Sequence, residues 1–438
     1  MSRCRAMARP APIPRGSTDG PGRRSTASAR GPGSDTPRRI IPWLGGLRAV
    51  LLAGLTLGPL TACTAQASGH IRVVRSFFLE RGHLIEPRAL TRTHDGGYVI
   101  AGRLTGPWAT RINDQGQVVW RYLAPLVPLK PGEIRGDTMF TGAVTLPDDS
   151  TLLCGYENPT EVPNAPLTGL LTHLSPHGRV LSTQTLYPNN DRHYVLNYLD
   201  RCVRWGKGVA VVGSTTLFPK GGTKPFGEVY LWLLKLDAHG HIAWEKLIPN
   251  VGGNVEVLKN HDLVLAAVGA RWGNPPSQTE ITELGPDGSV KRQRTILGGL
   301  ALVHSGAPET SVSLVSRGSA QATWRTLGAH LQTVARAKGS TGGIAVKKAY
   351  RLPNGALALF GYTTPPEYGG MLLSSIAWIS PHFSHQQVFT FKPWSIWVAD
   401  AIPTGKPGEF ATVREVSALH HPFDRHRMGI VLSIVHIQ

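Results

Sequence analysis

The chain has 438 residues, of which 41% are hydrophobic and 17% charged, with 50 Gly, 34 Pro and 4 Cys. Its net charge is +18, but residues 1–62 hold ten Arg against two Asp, which leaves about +10 on the remaining 376 residues. The Lys and Arg of that remainder are scattered and belong to no recognisable nucleic-acid module, so the surplus excludes nucleic acid and fits attraction to an anionic surface.

Residues 1–37 are dominated by Arg, Pro, Gly, Ser and Ala. Such a composition buries too little apolar surface to fold, and it reads as a disordered or over-long N-terminal extension. Residues 38–62 have the three parts of a secretory signal. Arg38 and Arg39 form the positive flank, Leu44 to Leu60 the apolar core, and small residues precede Cys63. Arg48 leaves only Ala49 to Ala62 uncharged, short of the ~20 apolar residues a membrane span needs. Leu60-Thr61-Ala62-Cys63 resembles a bacterial lipobox, in which the chain is cut before the cysteine and the thiol takes a lipid. This implies an exported protein anchored through Cys63 to a bacterial membrane, on the periplasmic side of the outer membrane. Residues 63–69 then form a tether reaching about 20 Å at full extension.

From residue 70 to 438 the chain repeats itself. A turn followed by a short apolar strand closing in Gly recurs as His94-Asp-Gly-Gly-Tyr-Val-Ile-Ala-Gly102, Asp148–Gly155, Gly208–Gly213, Asp262–Gly269 and Asn354–Gly361. Asp-Gly and Asn-Gly pairs signal tight hairpins of type I′, and the closing Gly signals a bend or close backbone approach. A second unit follows each first: Arg111-Ile-Asn-Asp-Gln-Gly-Gln-Val-Val-Trp120 matches Lys235-Leu-Asp-Ala-His-Gly-His-Ile-Ala-Trp244. The turns of this unit recur every 43 to 62 residues, the period of four-stranded blades with some long loops. Helical periodicity is almost absent. The expected fold is all-β, a single monomeric β-propeller of seven four-stranded blades, in which the tryptophans pack blade on blade. The seventh blade, Ser395 to Ile437, has only three strands of its own. His70 to Leu79 is predicted to pair with the C-terminal strand as the fourth and close the ring.

The chemistry-bearing candidates are few. Cys154 and Cys202 fall on strands of adjacent blades, placed either to form a disulfide or to lie buried as two small apolar thiols. Loops at residues 158–166, 218–226, 271–276 and 363–368 interrupt successive blades at one relative point and so share a rim, where Trp272, Tyr368, Lys220 and Lys224 are candidate ligand contacts. His420, His421, Asp424 and His426 offer imidazole and carboxylate ligands to a metal, without the spacing of a structural zinc site. Asp137, Glu161 and Asp400 are candidate carboxylates for a central-channel hydrolase.

The repeats resemble bacterial propeller families with Asp-Gly-Gly-Tyr…Gly followed by Leu-Asp-x-x-Gly-x-x-x-Trp, and the second half is similar to the quinoprotein-type repeat. That resemblance implies a lipoprotein binding or scaffold module for a protein or envelope polymer. It also implies an alternative, a hydrolase or quinoprotein-like oxidoreductase with a central-channel site. The quinone-dependent members use adjacent cysteines and a calcium site. This chain has no adjacent cysteine pair, so no cofactor is expected.

Overall fold

The computed structural model describes residues 67–82, 85–125, 136–158, 167–191, 193–217, 228–249, 253–257, 262–269, 278–297, 300–305, 312–316, 321–327, 331, 333–364, 372–391, 395–417 and 428–438. They form an all-β propeller, with one short 3-10 turn at Pro188–Asn190. No helix among the described residues is long and apolar enough to cross a membrane.

Each blade is an antiparallel meander of four strands. Blade one comprises Glu86–Arg92, Tyr98–Arg103, Pro107–Ile112 and Val118–Leu123. Blade two runs through Met139–Thr145, Thr151–Glu157, Thr168–Leu174 and Val180–Leu186, and blade three through Tyr198–Trp205, Gly208–Leu217, Glu228–Leu236 and Ile242–Ile248. Gly253–Val257, Leu263–Gly269, Gln278–Leu284 and Val290–Leu297 make blade four. An eight-stranded sheet holds the next two blades, Leu300–Ser305 to Thr333–Ser340 and Ala345–Arg351 to Gln386–Thr390. Their first strands are joined by a short parallel ladder, His304 to Tyr350 and Ser305 to Arg351. Blade seven contains Ser395–Pro403, Glu409–Ser417 and Met428–Ile437, and its fourth strand is Ile71–Gly82, paired antiparallel with Met428–Ile437. The N-terminal segment thus closes the ring as its sequence predicts, with the Ser76 and Ser433 hydroxyls 2.7 Å apart across the seam. Ala67–Ser68 adds a fifth short strand there.

The core is divided among the blade interfaces. Seven apolar clusters each join two neighbouring blades, from Val99, Trp120, Phe140 and Leu153 between blades one and two to Phe360, Phe410 and Val435 between six and seven. Alternate residues of a strand face opposite neighbours, so the middle strands read as continuous apolar runs. Trp120 and Trp244, which close the second repeat unit, reach sideways. A Cβ on Gly178 would stand 2.7 Å from Trp120, and one on Gly288 would stand 2.6 Å from Trp244. Each indole therefore covers the outer turn of the next blade, and Trp120 also donates its ring N–H to the Pro176 carbonyl at 3.0 Å. Phe77, on the closing strand, covers Gly116 of blade one in the same way.

The hairpins correct one expectation. In the first-unit hairpins that carry the Asp-Gly and Asn-Gly pairs only Gly96 and Gly355 have positive φ (+87° and +83°), where type I′ needs two such residues in succession, and the outer turns of blades one to three share this form with Gly116, Gly178 and Gly240 (+81°, +78° and +85°). These are type I turns followed by a left-handed glycine. The residue opening each outer turn holds it. Asn113 Oδ1 accepts from the N–H groups of Gln115 (3.1 Å) and Gln117 (2.8 Å), and Asp237 Oδ1 from His239 (2.8 Å) and His241 (2.9 Å). Side-chain acceptance at the turn start favours the right-handed bend over its mirror image. It also explains the Asn, Ser or Asp in the repeat.

Candidate functional site

The first strands of the blades face one another around the axis, and five of them share one irregularity. Each carries a β-bulge, in which one residue has no partner on the second strand. These residues are Arg88, Thr141, Asp200, Lys347 and Ala399, in blades one, two, three, six and seven. A bulge re-aims the extra side chain away from the ladder. All five line a single cavity of about 550 Å³ on the propeller axis.

The repeated closing glycine belongs to the same device. The residue preceding the bulge pairs with Gly102 in blade one, Gly155 in blade two, Gly213 in blade three and Gly361 in blade six. A Cβ at any of the four would overlap a first-strand carbonyl oxygen, that of Glu86, Met139, Tyr198 or Ala345. The glycine therefore lets the bulged strand lie close against the second strand. Of the two readings of that glycine, a bend or a close backbone approach, the structure shows the close approach, and it supports the channel lining.

Charge dominates the lining. Among the described lining residues Arg88, Arg201, Arg204, Lys347 and Lys348 stand against Asp200 and Asp400, an excess of three positive charges that falls to two once Glu86 is counted. Glu86, beside the cavity, accepts from Arg88 (2.8 Å) and from Arg103 (2.6 Å). Asp200 is exposed to the water of the channel yet enclosed by protein, and this enclosure pushes its carboxyl up to about 6 against the opposing pull of Arg201. Thr141 directs its hydroxyl to two backbone carbonyls, that of Cys154 in its own blade and that of Leu199 in blade three.

The sequence candidates separate accordingly. Asp400 reaches the channel wall, but it is a structural acceptor: its carboxylate takes N–H bonds from Leu90 (3.1 Å) and Ala401 (2.9 Å) and pairs with Lys348 (2.9 Å). Asp137 is held by Arg103 and accepts from the Tyr156 hydroxyl at 2.8 Å. Cys154 and Cys202 do meet between blades two and three, as free and buried thiols. Burial and the hydrogen bond to Cys202 push the Cys154 thiol well above its ordinary range. Among the described residues no three His, Cys, Asp or Glu side chains come together as a metal site. Cys63, Glu161, Lys220, Lys224, Trp272, Tyr368, His420, His421, Asp424 and His426 lie outside the described residues.

A buried acid flanks the site. Glu415, on the second strand of blade seven, is 2% exposed, and burial together with the neighbouring Glu86 raises its carboxyl to about 8, against the pull of Arg88 and Arg103. Below pH 4.5 the group is protonated in folded and unfolded chains alike. Between 4.5 and 8 the folded chain keeps a proton the unfolded chain releases, so stability falls with rising pH through that window. Glu415→Gln should remove this slope and gain about 1–2 kcal/mol over the wild type above pH 8, read from urea unfolding at several pH values. An unchanged slope would place the titration elsewhere.

Neither a family model nor a curated protein matches the chain. Solved structures do. A protein of unknown function from Dyadobacter fermentans is 14% identical, covering 85% of this chain and 100% of its own, with a TM-score of 0.46. A glucose dehydrogenase is 12% identical over 73% of this chain and 99% of its own (TM-score 0.37). The α-L-arabinofuranosidase Arb93A of Fusarium graminearum is 10% identical over 69% and 98% (TM-score 0.42). Likenesses this remote carry no assignment of activity.

Proposed function

We propose that this propeller is an exported lipoprotein, anchored through Cys63 on the periplasmic side of the outer membrane, that serves as a binding or scaffold module and receives its partner at the central channel. One observation carries the binding reading: five blades each thrust a bulged residue into one cavity rich in cations. A bulge interrupts the ladder, and its repetition at equivalent positions builds a lining that blade packing alone does not require. Export and anchoring are supported by the signal-like residues 38–62 and the lipobox-like Leu60 to Cys63. The partner class is a protein or envelope polymer, for which the positive surplus of the mature chain supplies attraction.

Affinity capture from membranes tests the reading, with wild type compared against Arg204→Glu/Lys347→Glu. Loss of partners from the variant alone is the expected result, and identical partner sets would overturn a channel site. Incorporation of a labelled lipid precursor should disappear in Cys63→Ser. A label retained in that variant would end the anchoring proposal.

A second reading, an enzyme of the hydrolase or oxidoreductase type, draws on Asp200, whose carboxyl near 6 lies in the channel where it could exchange a proton at neutral pH. It would require turnover that Asp200→Asn abolishes while partner capture persists.

A further inference from the structure

We infer that the central channel is an oxyanion site for a small organic molecule carrying two or three negative charges as phosphate or carboxylate groups. It rests on the channel as the binding site proposed above and departs from that reading in the occupant, a small anion in place of a protein or envelope polymer. Three observations carry it.

The first is the direction of the charge. Blade one contributes Arg88, blade three Arg201 and Arg204, and blade six Lys347 and Lys348. In a seven-membered ring these blades stand two, three and two places apart, so positive charge surrounds the cavity from three sides. A ligand at the centre meets cations from several directions at once, which favours a compact anion over an extended polymer backbone.

The second is size. A cavity of about 550 Å³ falls within the range that encloses a small molecule, and is too small for a folded partner. The third is the chemistry of the cations. Two of those the cavity presents beyond Arg88 are the guanidinium groups of Arg201 and Arg204, planar forks that match the paired oxygens of a carboxylate or phosphate. The ammonium group of Lys347 acts opposite them as a point charge, beside Lys348 in its pair with Asp400. The remaining wall is small or apolar, including Ala89, Gly142, Ala143 and Val203, which leaves room for a ligand and strengthens the field felt inside. With Arg88 paired to Glu86 and Lys348 to Asp400, the three cations Arg201, Arg204 and Lys347 face Asp200, and a monovalent anion would leave part of that net charge of two uncompensated. A dianion balances it, and a trianion does so when Asp200 carries a proton.

Isothermal titration of the mature, anchored protein in detergent tests this with pyrophosphate, citrate, inorganic phosphate and trehalose as probes. Saturable binding of pyrophosphate or citrate is expected, at least about tenfold tighter than inorganic phosphate, with no response to trehalose. Whichever polyanion binds more tightly identifies phosphate or carboxylate as the natural chemistry. Arg204→Gln/Lys347→Gln exchanges two exposed channel residues, so it should keep the wild-type melting temperature while weakening binding about tenfold or more. Binding that is equal in the variant would mean attraction by overall charge, and would overturn the site. No saturable binding of either polyanion would overturn the ligand class. If membrane partners still depended on Arg204 and Lys347 in that event, the channel reading would stand without it. If they did not, both would fall.

Discussion

Gly213→Ala should destabilise the fold by about 3 kcal/mol, a large effect for one added methyl group. The expected cost follows from what the methyl meets. Its Cβ would overlap the Tyr198 carbonyl oxygen and stand 2.9 Å from the Leu199 Cα. Both atoms are backbone, so no rotamer change relieves the contact. The strand must move, and it carries Asp200 and Arg201 with it. Gly206→Asn is the matching control: Gly206 has φ +61°, which Asn tolerates, and nothing lies within 4 Å of its Cβ position. That change should cost under about 1 kcal/mol. Urea midpoints of the two variants decide the matter, and equal losses would mean that the bulge can yield. Crowding at Gly213 should also weaken ligand capture at the channel before the blade unfolds.

Arg111→Met should cost about 2–4 kcal/mol. Arg111 lies in the third strand of blade one, 5% exposed, and its guanidinium serves two blades. It bonds Asp95 of its own blade at 2.9 Å, Asp149 of the next, and the Pro176 carbonyl of that blade's outer turn at 3.0 Å. Met keeps much of the volume but leaves two carboxylates facing each other at the interface. Asp149 itself holds the left-handed place of its turn at φ +66°, where other blades use glycine, so pairing with Arg111 also steadies that turn. A double-mutant cycle with Asp149→Asn checks the coupling: losses that merely add would show that no ion pair contributes. Lys235 occupies the matching place in blade three and makes a different contact, donating to the Trp205 carbonyl and lying 4.1 Å from the centre of its ring. Burial there lowers the ammonium to about 8.

Much of the fold was legible because blades repeat. Glycine at the turns, the Asn, Ser or Asp that opens them, and tryptophan at the end of the unit are each required by local geometry, so they recur wherever that geometry recurs. Strand Ile71–Gly82 was legible for a related reason: it has outer-strand character and no hairpin before it. The channel was not legible, because a bulge consists of one additional residue in a strand and has no residue type of its own. Arg88, Thr141, Asp200 and Lys347 are two cations, a hydroxyl and a carboxylate, so no one residue type marks the position. They do share a distance. Each lies 13 or 14 positions before the closing glycine of its blade, Gly102, Gly155, Gly213 or Gly361. Reading backward from that glycine would have found the lining. Asp400 was singled out as a carboxylate near the axis, yet its oxygens are consumed by peptide N–H groups, a distinction that residue type does not reveal.

The seam between Ile71–Gly82 and Met428–Ile437 governs time as well as shape. Ser76 and Ser433 touch across 357 positions of chain, so the first described blade partner and the last must wait for everything between them. Until then Met428–Ile437 is an open edge and Phe77 has no turn to cover. Opening that one ladder would convert a closed circle into a row of blades with two loose ends. The rate at which the seam parts, rather than the strength of any single blade, should therefore set the lifetime of the folded ring.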